Sequence, residues 1–414
     1  MPETLAIDGG TPVRAEPFPH RRLIGEAEKT AALAVFDAAI EAGEAFGYGG
    51  PLEQQYEQDF VAYMGGGYAD GVNSGTNAVF CALGALELPP LSEVIVPPIT
   101  DPGGVMPVIF VGCVPVPADA AEGTYNTGPA QIAARLTDRT SAIVVAHIGG
   151  EPVDMDPVLA FAAQRGLPVV EDCAQAHGAR YHGRPVGTLG RIAAFSTMRG
   201  KHHCTGGQGG VVYTGDEELH ERGRRFADRG KALGLDATGN VVAGLNCNLN
   251  ELSAAIGSAQ LGRLGEIVRR RREVGEAIKA GLAERPDAAL ALGRQVPDTE
   301  CTYWFLRVRL DTSRLTCDKA RLCDALVAEG IPATASYRHI PCEMPWFTER
   351  RALPGGFPWT CSDYAGPREP RWDLRGAVAA TNQHFNIAVH ENYTDREVAD
   401  ILAALEKVER AHRP

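Results

Sequence analysis

Two stretches decide how this chain is read: PVVEDCAQAHG at residues 168–178 and STMRGKHHCTGGQGGVVY at residues 196–213. The apolar run 167–170 reads as a short buried strand, and it ends in a carboxylate at Asp172. Lys201 follows 29 positions later, ahead of a glycine-rich turn and a second apolar run. In open α/β sheets, ligands bind beyond the carboxyl ends of the strands. A carboxylate there, with a lysine on a nearby turn, is the pair that pyridoxal phosphate chemistry needs. The carboxylate keeps a pyridine nitrogen protonated so that the ring absorbs electrons. The amine holds the cofactor as a Schiff base and later moves protons.

Around these stretches the composition is that of a globular enzyme. A chain of 414 residues is too long for one ordinary core, so two domains are expected. Hydrophobic residues make up 44% and charged residues 22%. The formal net charge of −12 argues against a nucleic-acid binder or a protein of anionic membrane surfaces, because such partners would be repelled. The ten cysteines form no C-x-x-C pair, so neither a metal-ligand spacing nor a disulfide framework is read, and free thiols in a reducing cytoplasm are expected. The first residues, MPETLAIDGG, carry neither a basic nor an apolar segment, so no signal peptide is expected, and no run of 18 apolar residues suggests a membrane span.

Short all-apolar strands at 93–96, 114–116, 142–146 and 168–171 alternate with helical patterns at 77–86, 105–111, 129–135 and 157–165. That alternation predicts an α/β fold with a mainly parallel sheet covered on both faces. An extended Pro/Gly-rich arm (1–23) precedes a large domain (24–262), and a smaller α+β domain (263–414) follows. A long helix is expected over 250–285, a strand at 303–310 and helices at 319–329 and 395–411. Residues 341–375, rich in Pro, Gly and Trp, read as a long loop of the kind that usually serves function.

The two opening stretches resemble the DegT/DnrJ/EryC1/StrS family of sugar and cyclitol aminotransferases. The pattern E-D-x-A-Q-A-H-G is met by Glu171, Asp172, Ala174, Gln175, Ala176, His177 and Gly178. The following S-F-x-x-x-K-x-x-T-x-G-E-G-G pattern is met by Ser196, Lys201, Thr205, Gly207, Gly209 and Gly210. The resemblance implies the aspartate-aminotransferase-like fold (fold type I), with a mainly parallel seven-stranded sheet and a smaller C-terminal α+β domain. It implies pyridoxal 5'-phosphate as cofactor, Lys201 as its covalent anchor and Asp172 as partner of the pyridine nitrogen. The implied reaction moves an amino group from glutamate or glutamine to a keto-sugar or keto-cyclitol in amino-sugar or antibiotic biosynthesis. Counting from Ser196 puts Lys201 on the family lysine, whereas counting back from Gly209 and Gly210 puts His202 there. We read a one-residue insertion between Lys201 and Thr205. His202 in that slot would imply a deoxysugar dehydratase instead, and a non-catalytic cofactor-binding regulator is the further alternative.

The remaining candidates follow from the same comparison. Ser74, Gly75 and Thr76 open a helix, whose free N–H groups and positive dipole end suit a phosphate, and Ser196 adds a hydroxyl. Gln175 is placed on the cofactor's phenolic oxygen, and His177 on the local loop. Asn246, in GLNCNLNE (244–251), is implied to reach the phosphate of a neighbouring subunit's cofactor, so a homodimer with shared sites is expected. Asn248 stands where the family pattern has arginine. Asp101 occupies the place where many relatives stack an aromatic ring; an aspartate there suits hydrogen bonding, proton transfer or simply an Asp-Pro turn. Gln208 replaces the usual glutamate. Tyr337, Arg338 and His339, together with His202 and His384, are candidates for substrate contact, with Gln383 and Asn386 in a polar cluster before a helix. Arg338 offers a bidentate partner for a donor carboxylate. No nucleic-acid or membrane partner is expected.

Overall fold

A computed structural model describes residues 3–335, 337, 339–369 and 371–414. Seven strands form the main sheet: β1 (Tyr68–Val72), β2 (Glu93–Val96), β3 (Val114–Pro117), β4 (Thr140–Ala146), β5 (Val169–Asp172), β8 (Ile192–Ser196) and β9 (Gly210–Thr214). Their spatial order is β1-β9-β8-β5-β4-β2-β3. All neighbours are parallel except β9, which runs antiparallel to both β8 and β1. The hairpin β6 (Arg180–Tyr181) and β7 (Arg184–Pro185) pairs with β11 (Thr299–Glu300) outside this sheet. A second, antiparallel sheet joins β10 (Leu290–Leu292), β12 (Phe305–Leu310), β14 (His384–Ala388) and β13 (Ala333–Thr334), in that order.

The central strands β2, β4 and β5 are buried on both faces, which is why they read as continuous apolar runs without alternation. Side chains still alternate across the sheet, so Glu171 and Asp172 face opposite ways. Glu171 accepts from the N–H groups of Gly187 (2.8 Å), Leu189 (2.8 Å) and Gly190 (2.5 Å), and so ties down the turn that leads into β8. That leaves the other face, and the ligand-binding end of the sheet, to Asp172.

The boundary expected at 262/263 falls inside one unbroken helix, Glu251–Ala283. Leu261, Leu264 and Val268 pack under the main sheet, whereas Val274, Ile278 and Leu282 belong to the core of the second sheet. The long segment 341–375 is a packed cover rather than an open loop. Ile340, Cys342, Phe347, Trp359 and Tyr364 join the main-sheet core, and the Tyr364 hydroxyl donates to buried Glu93 at 2.9 Å. Trp359 is fully buried against Phe347, which gives it a packing role; Trp372 lies under the Arg135 guanidinium. The helix expected at 105–111 shrinks to a single turn, Pro107–Phe110, because Gly103 and Gly104 belong to a tight turn before it. The extended arm begins on the smaller domain: Leu5 joins its core, and Glu329 accepts from the N–H groups of Ala6 and Val13.

Behind β1, Glu53, Glu57 and Asp70 gather around Arg224, whose Nε lies 3.7 Å from Asp70. Burial raises all three carboxyls, with repulsion from neighbouring carboxylates adding to it at Glu53 and Asp70, and takes Glu53 to about 7. A raised carboxyl binds its proton more tightly in the folded chain. Its contribution is therefore present in acid and is lost between about 4.5, where unfolded glutamate ionises, and about 7. Asp70→Asn is expected to raise Tm at pH 7.5 by about 2–4 °C and to flatten the fall of Tm between pH 5 and 7.5. Scanning calorimetry across that range checks both.

Candidate active site

The site lies beyond the carboxyl ends of β5 and β8, and local rules place its parts. Asp172 is the last residue of β5, and its Oδ1 accepts from the N–H of Ala174 at 3.0 Å. Burial raises its pKa, while that N–H and the nearby Lys201 pull it back. Lys201 sits on the turn between β8 and β9 and is only 7% exposed. Burial lowers its amine, against the opposing pull of Asp172 and Asp101. The two residues attract each other, but in both the cost of desolvation outweighs that attraction.

Three contacts hold the Lys201 turn. The Arg21 guanidinium, arriving on the N-terminal arm, donates to the carbonyls of Lys201 (2.5 Å), His202 (2.9 Å) and Gly200 (3.3 Å), and its Nε pairs with Glu391 at 2.8 Å. His202 is turned away from Asp172, with Nε2 donating to the carbonyl of Thr302 at 3.1 Å. The Trp304 indole N–H donates to the Gly200 carbonyl at 3.1 Å, and its ring lies under the Lys201 ammonium, 4.3 Å from Nζ to the ring centre. Beneath the turn, His177 donates through Nε2 to the Ser196 carbonyl at 2.9 Å, and burial pushes its pKa down to about 3. His203 packs edge-on against His177 and hydrogen-bonds the Tyr56 hydroxyl at 2.9 Å. His177, His202 and His203 are therefore neutral supports.

A phosphate cradle lies alongside. Ser74 caps the helix Gly75–Ala85 by accepting from Asn77 N–H at 3.1 Å. A Cβ on Gly75 would stand 2.4 Å from the Cβ of Ser196, so only glycine lets this helix start against β8. The I-T-D-P-G-G turn closes the opposite wall. A Cβ on Gly103 would meet the Thr76 hydroxyl at 2.3 Å, and one on Gly104 would meet Asp172 Oδ2 at 2.7 Å. Asp101 caps this turn, its Oδ1 accepting from Gly103 N–H at 2.9 Å, and it stands exposed at the mouth. Gln175 bridges the domains: its Oε1 accepts from Gly149 N–H at 2.8 Å and its Nε2 donates to the Tyr337 hydroxyl at 2.5 Å. The N–H of Thr100 donates to the His339 carbonyl at 2.9 Å, and the His339 ring lies edge-on against Tyr337. A buried amine under the electrostatic influence of a buried carboxylate, beside a helix N-terminus opened by Gly75, fits the aldehyde, pyridine nitrogen and phosphate of pyridoxal 5'-phosphate.

The structure corrects two of the substrate candidates. His384 lies inside the second sheet, donating from Nδ1 to the Ala380 carbonyl (2.8 Å) and accepting at Nε2 from Arg307 (3.0 Å). Both ring nitrogens are consumed, and burial beside Arg307 pushes its pKa down to about 3. The residues expected before a helix there lie at the end of the helix Arg375–Gln383 and on β14. His202 is likewise turned out of the cavity by its bond to Thr302. Arg338 lies outside the described residues. Asn246 is exposed on the outer surface, with Oδ1 accepting from Asn248 Nδ2 at 2.8 Å and its carbonyl accepting from Asn73 Nδ2 at 3.3 Å. Asn248 also donates to Asp228 at 3.0 Å.

Arg21 and Trp304 escaped sequence reasoning. Each is an ordinary residue in its segment, one in an arm and one opening a strand, and no local pattern links either to Lys201. A trio suited to metal binding, His147, Glu171 and Cys173, is also brought together. His147 accepts at Nδ1 from Val153 N–H (3.0 Å) and donates from Nε2 to Glu171 (3.1 Å), so its imidazole has no lone pair left for a cation.

The family model described as the DegT/DnrJ/EryC1/StrS aminotransferase family matches residues 27–406. The chain belongs to this family, is an aminotransferase, and depends on pyridoxal 5'-phosphate. It is 32% identical over 431 aligned positions to the L-glutamine:2-deoxy-scyllo-inosose aminotransferase of Micromonospora echinospora, covering 99% of this chain and 98% of that one. It is 37% identical over 369 positions to the spore coat polysaccharide biosynthesis protein SpsC of Bacillus subtilis (strain 168), covering 87% and 90%. Among solved structures, an aminotransferase from Psychrobacter cryohalolentis superposes with a TM-score of 0.83 at 28% identity, covering 96% of this chain and 99% of that one. No helix among the described residues is long and apolar enough to cross a membrane.

Proposed function

We propose that this enzyme transfers the amino group of glutamate or glutamine to a keto-sugar or keto-cyclitol, with Lys201 as the cofactor-anchoring and proton-carrying amine and Asp172 as partner of the pyridine nitrogen. The observation that carries this reading is the buried Lys201–Asp172 pair at the strand ends, beside the glycine-lined helix start. The match over nearly the whole length to a glutamine-dependent cyclitol aminotransferase supports the substrate class.

When bound, pyridoxal phosphate supplies an electron sink for charge developing at the carbon that loses its proton. The chain does the rest. Nζ of Lys201, lowered by burial, is a free base more often than an exposed lysine is, and it moves a proton between the donor's α-carbon and the cofactor. The Asp172 carboxylate would keep the cofactor's ring nitrogen protonated. The first turn of the helix Gly75–Ala85, with Thr76 and Ser196, would hold the phosphate and so fix the cofactor in the site. Gln175 and Tyr337 close the side facing the smaller domain, and Asp101 at the mouth accepts hydrogen bonds from substrate hydroxyls.

A homodimer in the cytoplasm completes the proposal, with Asn246 of each copy reaching the other's phosphate. Its support is surface chemistry: exposed Phe46 and Leu52 line an apolar groove of about 850 Å³, and Leu33, Phe36 and Ile40 on the helix Glu26–Ala42 are exposed as well. All ten cysteines are free thiols. The test is an absorbance titration of the purified holoenzyme with a panel of amino donors and ketones, followed by borohydride reduction and peptide mapping. Bleaching of the cofactor band by glutamine or glutamate, its return with one polyhydroxylated ketone, and a label on Lys201 are expected. A label on another residue overturns the assignment.

A further inference from the structure

During each turnover of the reaction proposed above, Lys201 must release the cofactor and take it back, so its amine needs a place to rest while free. We propose that the indole face of Trp304 is that place, making Trp304 a positioning residue that stabilises the released ammonium. This inference rests on the assignment of Lys201 as the anchor.

The geometry is specific. Nζ lies 4.3 Å from the centre of the Trp304 ring, within the range at which an ammonium is held by the electron-rich face of an indole. Lys201 is 7% exposed, so the attraction acts with little competition from water. The ring is itself fixed at both ends. The backbone N–H of Trp304 donates to the Gly149 carbonyl at 2.9 Å, and the indole N–H donates to the Gly200 carbonyl at 3.1 Å. Gly149 also donates to Gln175, so the ring, the bridging glutamine and the lysine turn share one frame. Trp304 immediately precedes β12 of the second sheet, and its side chain packs against the main-sheet core. Nζ has two directions to go: along the cavity towards Asp172 and Asp101, or back onto the ring.

The energetic consequence has a definite sign. The contact exists in the apoprotein and with pyridoxamine phosphate bound, because the amine is free in both. It is given up when pyridoxal phosphate takes the amine into a covalent bond, which joins Nζ to the aldehyde carbon with loss of water. The ring thus opposes the covalent state and favours the released one.

Calorimetric titration of apoprotein with pyridoxal phosphate and with pyridoxamine phosphate tests this. Trp304→Leu is expected to tighten pyridoxal phosphate relative to pyridoxamine phosphate by about 2- to 30-fold, the range of a cation–π contact. Trp304→Phe, which keeps an aromatic face, should stay nearer the wild-type ratio. Biosynthetic replacement of tryptophan by a fluorinated analogue drains the ring's electron density at unchanged shape. It should shift the ratio in the same direction even if Trp304→Leu does not fold. A ratio unchanged in the fluorinated protein, or parallel weakening of both ligands in Trp304→Leu, overturns the role of Trp304. Borohydride labelling of wild type separates the two claims: label on Lys201 with an unchanged ratio rejects only the resting place, and label elsewhere rejects both.

Discussion

Lys201→Ala is expected to lower turnover by about 10³- to 10⁴-fold, the combined loss of a covalent anchor and of the group that moves the proton. The reason lies in what surrounds the side chain. Lys201 is the cation that the site electrostatics pair with Asp172 and Asp101, and the imidazole next to it is bonded away to Thr302. Lys201→Arg should fare no better, since a guanidinium keeps the charge but neither forms the bond nor gives up a proton near neutral pH. His202→Asn, by contrast, should stay within about 3-fold of wild-type turnover, because His202 only ties the turn to the smaller domain. Steady-state kinetics of the three variants check this. Near-normal activity in Lys201→Ala with its collapse in His202→Asn would point to the dehydratase class.

Asp172→Asn should separate catalysis from stability. The amide keeps the size of the side chain and can still accept from Ala174 N–H, so the cofactor should remain bound. Without the charge, the pyridine nitrogen opposite loses its partner, and turnover should fall by about 10²- to 10³-fold, as when a preorganised electrostatic group is removed. The apoprotein should gain stability. Burial raises the Asp172 pKa, so the folded chain carries an ionised carboxylate at a cost, and the neutral amide removes that cost. Differential scanning of the apoprotein should show a higher Tm in the variant at pH 8, and a smaller difference at pH 5, where the carboxyl is closer to protonation. A lower Tm with full activity would remove Asp172 from its assigned place.

Much of the main sheet is legible in the chain because its strands are buried on both faces and carry one uniform signal. The strand at 93–96 and the helix at 395–411 match the observed bounds, Glu93–Val96 and Asp395–Ala411. Elements whose faces differ were harder to see. β1 reads YADGV, with Asp70 and Gly71 interrupting it, and is held in place by pairing with β9. The helix Glu217–Ala227, EELHERGRRFA, is too charged to announce a buried face, although Leu219 and Gly223 are buried. The single turn Pro107–Phe110 is shorter than the apolar run 105–111 suggests, and the cover at 341–375 is better packed than its Pro and Gly content suggests. Local composition says nothing of which surface a segment will meet.

By itself the sequence determined the chemistry available: a carboxylate ending a buried strand, a lysine on a glycine-rich turn, and a helix start bare enough for a phosphate. These are local features, set by spacing and by the conformational freedom of Gly75 and its neighbours. Only the tertiary structure decided that His202 is tied to Thr302 while the adjacent Lys201 amine lies over Trp304, within the electrostatic influence of Asp172. A turn's side-chain directions depend on the contacts that pin it, and here those contacts come from Arg21, Thr302 and Trp304, all more than 90 positions away along the chain.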